Sequence, residues 1–401
     1  MNNTIFKKIY KVRCELITAL HIGCASQSPV GAMEIMKNGN GEIMIPGTSI
    51  AGLFFDTLSN LETNIRDHRL IKKNASYIIF RSVIFENIKY LKIRDRVKMN
   101  RELKVADEGS LFSYWEIEPE MTNFDICIEI DNLSLKNLGK DFEIVDKWIQ
   151  KVLKAWADEG FFLGAHNSSG NGRVKLLEIS KAEVTENNFD DYLDDKLNFS
   201  KYLDDKDKNV EKLKPLYKKY KITVDINDEE DAYGTNALLI KGGVSHDSLV
   251  KNPSDAVFIN TGKRLFIPGS SLKGSISMFL EKYGKNQCLK DMFGQEESEN
   301  QGYIYFPDMF FNNVNKANLV NIERHAEDEF TRAVLGSSKF NEERLFYSKS
   351  EDYILIPMKF YNQKSKEIQD MFDFIKKGFE KKLISLGANS CYPNICIEEV
   401  N

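Results

Sequence analysis

The chain has 401 residues, of which 42% are hydrophobic and 29% charged, and its net charge is −5 at pH 7. This composition predicts a folded protein rather than a disordered one, and the length suits two domains of ordinary size. No apolar run is long enough to cross a bilayer and the first residues do not resemble a signal peptide, so we expect a soluble, cytoplasmic protein. The cysteines form no C-x-x-C pair, which argues against a zinc ribbon or a disulfide framework.

The first predicted strand lies at 10–16, where apolar and polar residues alternate. The sequence Ile-Pro-Gly-Thr-Ser-Ile-Ala-Gly follows at 45–52 and leads into a helical pattern. It predicts a strand, a tight turn and a helix with Ser49 as its N-cap. The backbone N–H groups at such a helix start can hold a phosphate, although Pro-Gly-x-Ser is also an ordinary way to begin a helix.

A basic stretch follows an apolar segment at 77–85 that predicts a buried strand. Few acidic residues separate its seven cations, which are Lys89, Lys92, Arg94, Arg96, Lys98, Arg101 and Lys104. Such a stretch is either a solvated surface or a nucleic-acid contact, and the sequence alone leaves both open.

A glycine-rich loop follows the helix that is predicted over 145–156. It reads Gly-Ala-His-Asn-Ser-Ser-Gly-Asn-Gly-Arg at 164–173. Its residues permit positive φ and expose N–H donors, which suits binding of a sugar–phosphate chain, but a simple hairpin turn has the same pattern.

The second half of the chain repeats these landmarks in the same order. The turn returns as Ile-Pro-Gly-Ser-Ser-Leu-Lys-Gly at 267–274, and five of its eight positions are identical to the first copy. Segments 220–226, 303–311 and 324–340 match the first strand, the apolar segment and the basic stretch. The second glycine-rich loop, at 387–394, keeps one glycine and so departs from the pattern that suits a sugar–phosphate chain. Each copy predicts strand, turn, helix, strand, irregular loop, strand, helix, strand.

A polar, charged segment separates the two copies and predicts a connector with some helix. The predicted organisation is a first domain over 1–185, a charged linker over 186–216 and a second domain over 217–401.

The chain resembles the Cas7 group of the RAMP superfamily, and within it the Csm3-like backbone subunits of type III (III-D-like) CRISPR effector complexes. The Ile-Pro-Gly-Ser-Ser turn carries most of the resemblance, and Met292-Phe293-Gly294 before Ile304-Tyr305-Phe306-Pro307-Asp308 adds to it. The resemblance covers nearly all of the chain except its middle. It implies an α+β fold of two tandem ferredoxin-like (RRM-like) RAMP domains, with long insertions at about 86–120 and 312–350 that form thumb-like loops.

The resemblance also implies where RNA is bound, namely at the turns, the glycine-rich loops and the basic segments. The expected RNA-binding residues are Gly23, Gly47, Ser49, Gly52, Arg94, Arg96, Lys98, Arg101, Gly170, Gly172, Arg173, Gly243, Gly269, Ser271, Lys273, Arg324 and Arg332.

Csm3-like subunits that cut target RNA depend on an aspartate between the first strand and the Ile-Pro-Gly turn. Asp255 lies twelve positions before Ile267 and is the candidate catalytic residue and ligand of Mg²⁺ or Mn²⁺, with Asp247 as the local competitor. Glu34 has the corresponding place in the first copy, and its longer side chain predicts a slow or silent site. A carboxylate there holds a metal or orients a ribose 2′-hydroxyl, although a loop aspartate is often only a turn cap.

Two functions remain open from the sequence. The first is a tandem backbone subunit that binds crRNA and target RNA and cuts the target, together with Cas10-like, Cas5-like, Cas11-like and other Cas7-like subunits. The second is a non-catalytic, Csm5-like capping subunit of the same kind of complex. A Cas6-like processing nuclease fits less well, because that class uses a histidine near the glycine-rich loops and does not carry the turn twice.

Overall fold

A computed structural model gives the fold of the chain. It describes residues 4–27, 31–62, 77–85, 91–99, 106–119, 122–137, 141–202, 213–226, 237–241, 257–261, 264–283, 292–294, 302–312, 318–327, 334–388 and 391–400. The chain divides into two compact units, and each has its own buried hydrophobic core. The first unit comprises Met1–Asn167 and Asn171–Tyr217, and the second comprises Ser168–Gly170 and Lys218–Asn401.

The first unit mixes helices and strands along its whole length. Its helices are α1 (Gly47–Leu61), α2 (Asn132–Asn137), α3 (Phe142–Glu159) and α4 (Phe189–Leu193). Its strands are β1 (Lys7–Leu16), β2 (Gly23–Gln27), β3 (Met33–Ile35), β4 (Met44–Ile45), β5 (Ile78–Phe80), β6 (Val83–Ile84), β7 (Leu91–Met99), β8 (Ala106–Ile117), β9 (Asn123–Asp131), β10 (Phe161–Phe162), β11 (Arg173–Val184) and β12 (Ser200–Lys201).

The central sheet of the first unit has the strand order β10-β11-β1-β9-β5, and β12 adds to it by pairing with β11. β1 lies in the middle and pairs antiparallel with β11 and β9, because its alternating sequence places Tyr10, Val12, Cys14 and Leu16 in the core. Helices α1 and α3 complete this core with apolar side chains at helical spacing. The principal elements β1, α1, β5, β9, α3 and β11 therefore follow one another as βαββαβ.

The second unit repeats this arrangement. Its helices are α5 (Gly269–Lys282) and α6 (Met358–Glu380), and its strands are β13 (Tyr217–Ile226), β14 (Phe266–Ile267), β15 (Met309–Phe310), β16 (Leu319–Glu327), β17 (Val334–Leu345), β18 (Ser348–Pro357) and β19 (Asn394–Val400). Its central sheet has the order β18-β13-β19, and Tyr305 forms an isolated bridge with Leu355 of β18. The strand predicted at 220–226 thus has the same central place as β1.

Each unit also carries a long antiparallel hairpin, β7–β8 in the first and β16–β17 in the second. Leu91 pairs with Ile117 at the base of one, and Leu319 pairs with Leu345 at the base of the other. The register shifts between Val97 and Met99 in the first and at the same position of the second. The prediction of irregular loops was wrong for these residues, since the alternation of charged and apolar residues favours strands.

The helix after each Pro-Gly turn begins earlier than the sequence predicts. Pro46 and Pro268 are the N-cap residues of α1 and α5, and no side chain caps either helix. Ser49 and Ser271 lie inside the first turn of these helices, so the prediction of Ser49 as the N-cap of α1 was wrong. The fixed φ of proline provides the extended residue that precedes a helix.

The segment at 77–85 forms two short strands rather than one buried strand. Arg81 and Ser82 are exposed between β5 and β6. β5 joins the central sheet, and β6 pairs with β4.

The described part of the predicted linker packs with the first unit. It contains α4 and also β12, which pairs with β11. At its end the backbone N–H groups of Leu216 and Tyr217 donate to Glu159 Oε2, both at 3.2 Å. Among the described residues, no helix is long and apolar enough to span a membrane.

Candidate nucleic-acid interface

The glycine-rich loop between β10 and β11 is fastened to the end of β1. The Gly172 N–H donates to the Ala19 carbonyl at 2.8 Å, and the Ala165 N–H donates to the His21 carbonyl at 2.9 Å. Gly172 has a φ of 76°, and a Cβ atom there would overlap the Leu163 carbonyl oxygen. Only glycine fits this position, so the residue is explained by close backbone packing.

The β7–β8 hairpin brings two arginines to this loop. The Arg96 Nη2 donates to Asn171 Oδ1 at 3.1 Å, and its guanidinium lies 5.4 Å from the ring centre of Tyr114. The Arg94 Nη1 donates to Glu116 Oε1 at 3.4 Å. Because residues two apart on a strand share a face, β7 presents both arginines to the same side.

A buried polar network supports the arginines. Asn171 is fully buried, and its Nδ2 donates to Glu116 Oε2 at 3.3 Å and to the Tyr114 hydroxyl at 3.5 Å. Glu116 is 3% exposed, and Tyr114 is fully buried. Buried hydrogen-bond networks of this kind hold side chains in one arrangement.

Two histidines complete the cluster. The ring centre of Tyr114 lies 4.9 Å from that of His21 and 4.8 Å from that of His166. The His21 Nδ1 lies 2.6 Å from the Trp115 carbonyl oxygen, so this nitrogen is the protonated one. We refer to these seven residues as the first junction: His21, Arg94, Arg96, Tyr114, Glu116, His166 and Asn171.

Both imidazoles of the first junction are uncharged at neutral pH. Burial lowers the pKa of His21, and the charge of Arg96 lowers it further. Burial also lowers the pKa of His166 to about 4, with contributions from Arg96, His21 and Arg94. The two guanidinium groups therefore supply the positive charge, and the imidazoles supply neutral ring surface.

Several residues expected to bind RNA lie around the first junction. Gly23 lies in β2, where a Cβ atom would approach His21 Nε2 to 3.0 Å. Arg173 begins β11 and donates its backbone N–H to Thr18 Oγ1 at 2.9 Å. Gly170 lies in the loop with a φ of 103°. Lys98 belongs to β7, but its side chain and all of Arg101 lie outside the described residues.

The first amides of the two turns already have acceptors within the chain. The Gly47 N–H donates to Ser82 Oγ at 3.1 Å, and the Gly269 N–H donates to the buried Asp308 Oδ1 at 2.7 Å. The N–H groups of Ser49 and Ser271 donate to the carbonyls of the N-cap prolines, both at 2.9 Å. Gly52 is exposed and Lys273 is half-buried on their helices.

The second unit has a counterpart of the first junction. Leu345 forms an isolated β-bridge with Leu238, as Ile117 does with Leu20 in the first unit. With these two residues aligned, the hairpin registers show that Arg324, Glu342 and Arg344 correspond to Arg96, Tyr114 and Glu116. Arg344 is fully buried and donates from Nη2 to Glu342 Oε2 at 2.6 Å, and Arg324 Nε lies 3.7 Å from the same oxygen. We refer to these three residues as the second junction. Arg332 lies outside the described residues.

The catalytic candidates are only partly visible. Glu34 lies in β3, and its Oε2 is 3.0 Å from Lys37 Nζ. Asp255, Asp247 and Gly243 lie outside the described residues. Across the described part of the chain, no three His, Cys, Asp or Glu side chains are grouped so that they could hold a metal ion.

Sequence reasoning missed Tyr114, Glu116 and Asn171. The only sequence signal for the first two is their alternation with Trp115, which places them on one face of a strand. Asn171 has no sequence signal that distinguishes it from the other polar residues of the loop.

The fold and the junction define a duplicated α+β protein that presents arginines beside a glycine-rich loop. A model of the RAMP superfamily matches residues 13–175 and 234–392, one region for each copy. The chain belongs to the RAMP superfamily, which implies a CRISPR-associated RNA-binding protein. RAMP proteins bind crRNA in CRISPR complexes. No curated protein matches the chain at a significant level.

Proposed function

We propose that this chain is a backbone subunit of a type III CRISPR effector complex that holds crRNA and the crRNA–target RNA duplex. The observation that carries the proposal is the first junction, where Arg94 and Arg96 are held on a hairpin beside the glycine-rich loop. Guanidinium groups match phosphate oxygens in charge and geometry, and fixed arginines lose little freedom when they bind. Its ligand is therefore the RNA backbone, read without sequence preference.

The hairpins provide a second argument. Leu111 is 64% exposed and Phe112 is 42% exposed on β8, beyond the first junction. The Phe112 ring centre lies 6.4 Å from that of Tyr114, which extends a row of rings towards solvent. Exposed rings next to cations suit nucleobases and riboses, so the β7–β8 hairpin fits the role expected of a thumb-like insertion in a ferredoxin-like RAMP domain.

Cleavage of target RNA is a separate part of the proposal, and it rests on the resemblance to Csm3-like subunits. Asp255 holds Mg²⁺ or Mn²⁺ or orients the attacking 2′-hydroxyl of the bound target RNA. Glu34 is expected to be slow or silent, and its ion pair with Lys37 agrees with that expectation. Cas10-like, Cas5-like, Cas11-like and other Cas7-like subunits are the proposed protein partners.

RNA binding is tested by purifying the chain, extracting the RNA that accompanies it and sequencing that RNA. We expect phased, repeat-derived crRNA when the chain is expressed with its CRISPR array. The double substitution of Arg94 and Arg96 by alanine is expected to reduce the recovered RNA strongly. Purified chain that carries no RNA and binds none when it is added would contradict the proposal.

Cleavage is tested in the complex assembled with a guide, a labelled target RNA and Mg²⁺. Asp255→Ala is expected to remove one cut and to leave RNA binding unchanged, and Asp247→Ala tests the competing candidate from the same segment. If neither substitution removes a cut, the chain is the non-catalytic, Csm5-like capping subunit instead.

A further inference from the structure

The two hairpins share one register but carry different side chains around their corresponding arginines, Arg96 and Arg324. Arg96 pairs with Phe112 across the first hairpin, and Arg324 pairs with Phe340 across the second. Two residues further along the second strand, the first hairpin has Tyr114 and the second has Glu342. The two corresponding arginines therefore have different neighbours, a neutral phenol beside Arg96 and a carboxylate beside Arg324.

In the first junction the partners of Arg96 include neutral groups. Its Nη2 donates to the amide oxygen of Asn171, and its guanidinium faces the Tyr114 ring. A phosphate oxygen is a much stronger acceptor for a guanidinium than an amide oxygen. A phosphate that approaches Arg96 can therefore displace or join a neutral partner, while the one carboxylate of the junction, Glu116, is held by Arg94 and Asn171.

In the second junction a carboxylate already faces the arginine. Glu342 Oε2 accepts from Arg344 Nε at 3.2 Å and Nη2 at 2.6 Å, and lies 3.7 Å from Arg324 Nε. Arg344 is fully buried, so moving Glu342 would leave a buried charge without this partner. Glu342 is thus fixed in place beside Arg324.

An RNA phosphate near Arg324 would therefore meet the carboxylate of Glu342 as a like charge. In the first junction the corresponding residue, Tyr114, carries no charge.

We infer that RNA phosphate is bound at the first junction alone, and that the exchange of Tyr114 for Glu342 closes the second junction to RNA. This inference rests on the proposed RNA-binding function and specifies which of the two junctions binds the phosphate. The duplicated chain has one working phosphate site of this type, and the second copy uses the same position for an internal ion pair.

The test compares Arg96→Ala with Arg324→Ala, which remove the corresponding side chain from each unit. Binding of a labelled oligouridine to the full-length chain is measured by fluorescence anisotropy over a series of salt concentrations. Arg96→Ala is expected to weaken binding about tenfold. It should also reduce the slope of log K against log salt by about 0.7, the value for one phosphate of a single strand. Arg324→Ala is expected to leave affinity and slope unchanged.

The outcomes separate this inference from the proposed function. If both variants weaken binding equally, RNA binding stands and the inference is wrong. If the wild-type chain binds RNA and Arg96→Ala has no effect, the inference is wrong as well. A wild-type chain that binds no RNA would reject the proposed function itself.

A variant that opens the second junction provides an independent test. Glu342→Gln removes the carboxylate charge and keeps its shape, so it should strengthen oligouridine binding several-fold and increase the salt slope. Adding Arg324→Ala to this variant should abolish that gain. Circular dichroism confirms that the variant is folded, and a folded Glu342→Gln protein with wild-type affinity and slope would overturn the inference. If Glu342→Gln does not fold, the comparison of Arg96→Ala with Arg324→Ala decides whether the inference holds.

Discussion

His166 combines an unusual backbone conformation with an unusual charge state. It has a φ of 61°, in the left-handed region that residues other than glycine rarely adopt. Its ring contacts those of Tyr114 and His21, and burial together with Arg96 holds its pKa near 4. Protonation of His166 would place a third positive charge beside Arg94 and Arg96, so the folded state resists it.

This charge state predicts a pH-dependent stability. The folded-state pKa is below the ordinary value of 6.5, so the unfolded chain binds more protons between these two values. The free energy of unfolding should therefore fall as the pH drops from 6.5 towards 4. His166→Asn should show a smaller fall, because asparagine tolerates the left-handed conformation and does not titrate.

Urea unfolding of both proteins at pH 7.5 and pH 5 measures this effect. At pH 7.5 His166 is neutral in both the folded and the unfolded chain, so the comparison at this pH gives the effect of the substitution alone. An identical loss of stability at pH 5 in both proteins would show that His166 does not contribute.

The first junction also shows which residues can be predicted from sequence. Arg94, Arg96 and Gly172 were predicted, because a basic stretch and a Gly-x-Gly loop are local signals. Asn171 could not be given its role, since its partners Arg96 and Glu116 are 75 and 55 residues away in the chain. Tertiary packing alone brings the hairpin to the loop.

Helices α1 and α5 show how one turn sequence produces the same element twice. In each, a Pro-Gly pair brings the helix start against an extended segment that follows the helix in the chain, and a Cβ atom on Gly47 or Gly269 would overlap the carbonyl oxygen of Phe80 or Phe306. The second glycine of each turn, Gly52 or Gly274, has open space around it. The sequence predicted both helices, but not that the first glycine is required by packing.

Two glycines of α1 therefore predict opposite effects of the same substitution. Gly47→Ala should destabilise the chain by about 1–3 kcal/mol, because the new methyl group forces the backbone apart. Gly52→Ala, the matched control in the same helix, should stabilise it by about 0.5–1 kcal/mol, because alanine favours helix. Equal effects of both substitutions in urea unfolding would contradict this explanation of the turn.

At the scale of the whole molecule, the copies share their order of elements but differ in what is buried between the central strand and the second helix. In the first unit Lys8, 3% exposed, donates to Asp146 Oδ2 at 2.7 Å, and the Tyr10 hydroxyl donates to Asp146 Oδ1 at 2.5 Å. In the second unit the Tyr220 hydroxyl donates to Gln369 Oε1 at 3.2 Å. The duplication was evident from repeated motifs, but these buried partners follow from packing that no motif records.

This difference predicts unequal costs of removing the helix partner. Asp146→Ala should destabilise the chain by about 3 kcal/mol, because it removes the closest partner of a buried ammonium group. Gln369→Ala, its counterpart, should cost about 1 kcal/mol, since it removes the hydrogen bond from Tyr220 and an exposed one to Asp373 but leaves no buried charge without a partner. Hydrogen exchange measured by mass spectrometry should show faster exchange in β1 and α3 of Asp146→Ala, and wild-type exchange in both elements would contradict the assigned role.

The shifted register of the two hairpins limits how they can change length. Two paired positions flank the shift in each hairpin. Between them lie one residue of the first strand, β7 or β16, and four residues of the second strand, β8 or β17. The excess of three residues is odd, whereas side chains alternate along a strand with a period of two. A one-residue insertion nearer the base would rotate Arg96 or Arg324 to the opposite face, and only insertions in steps of two preserve their direction.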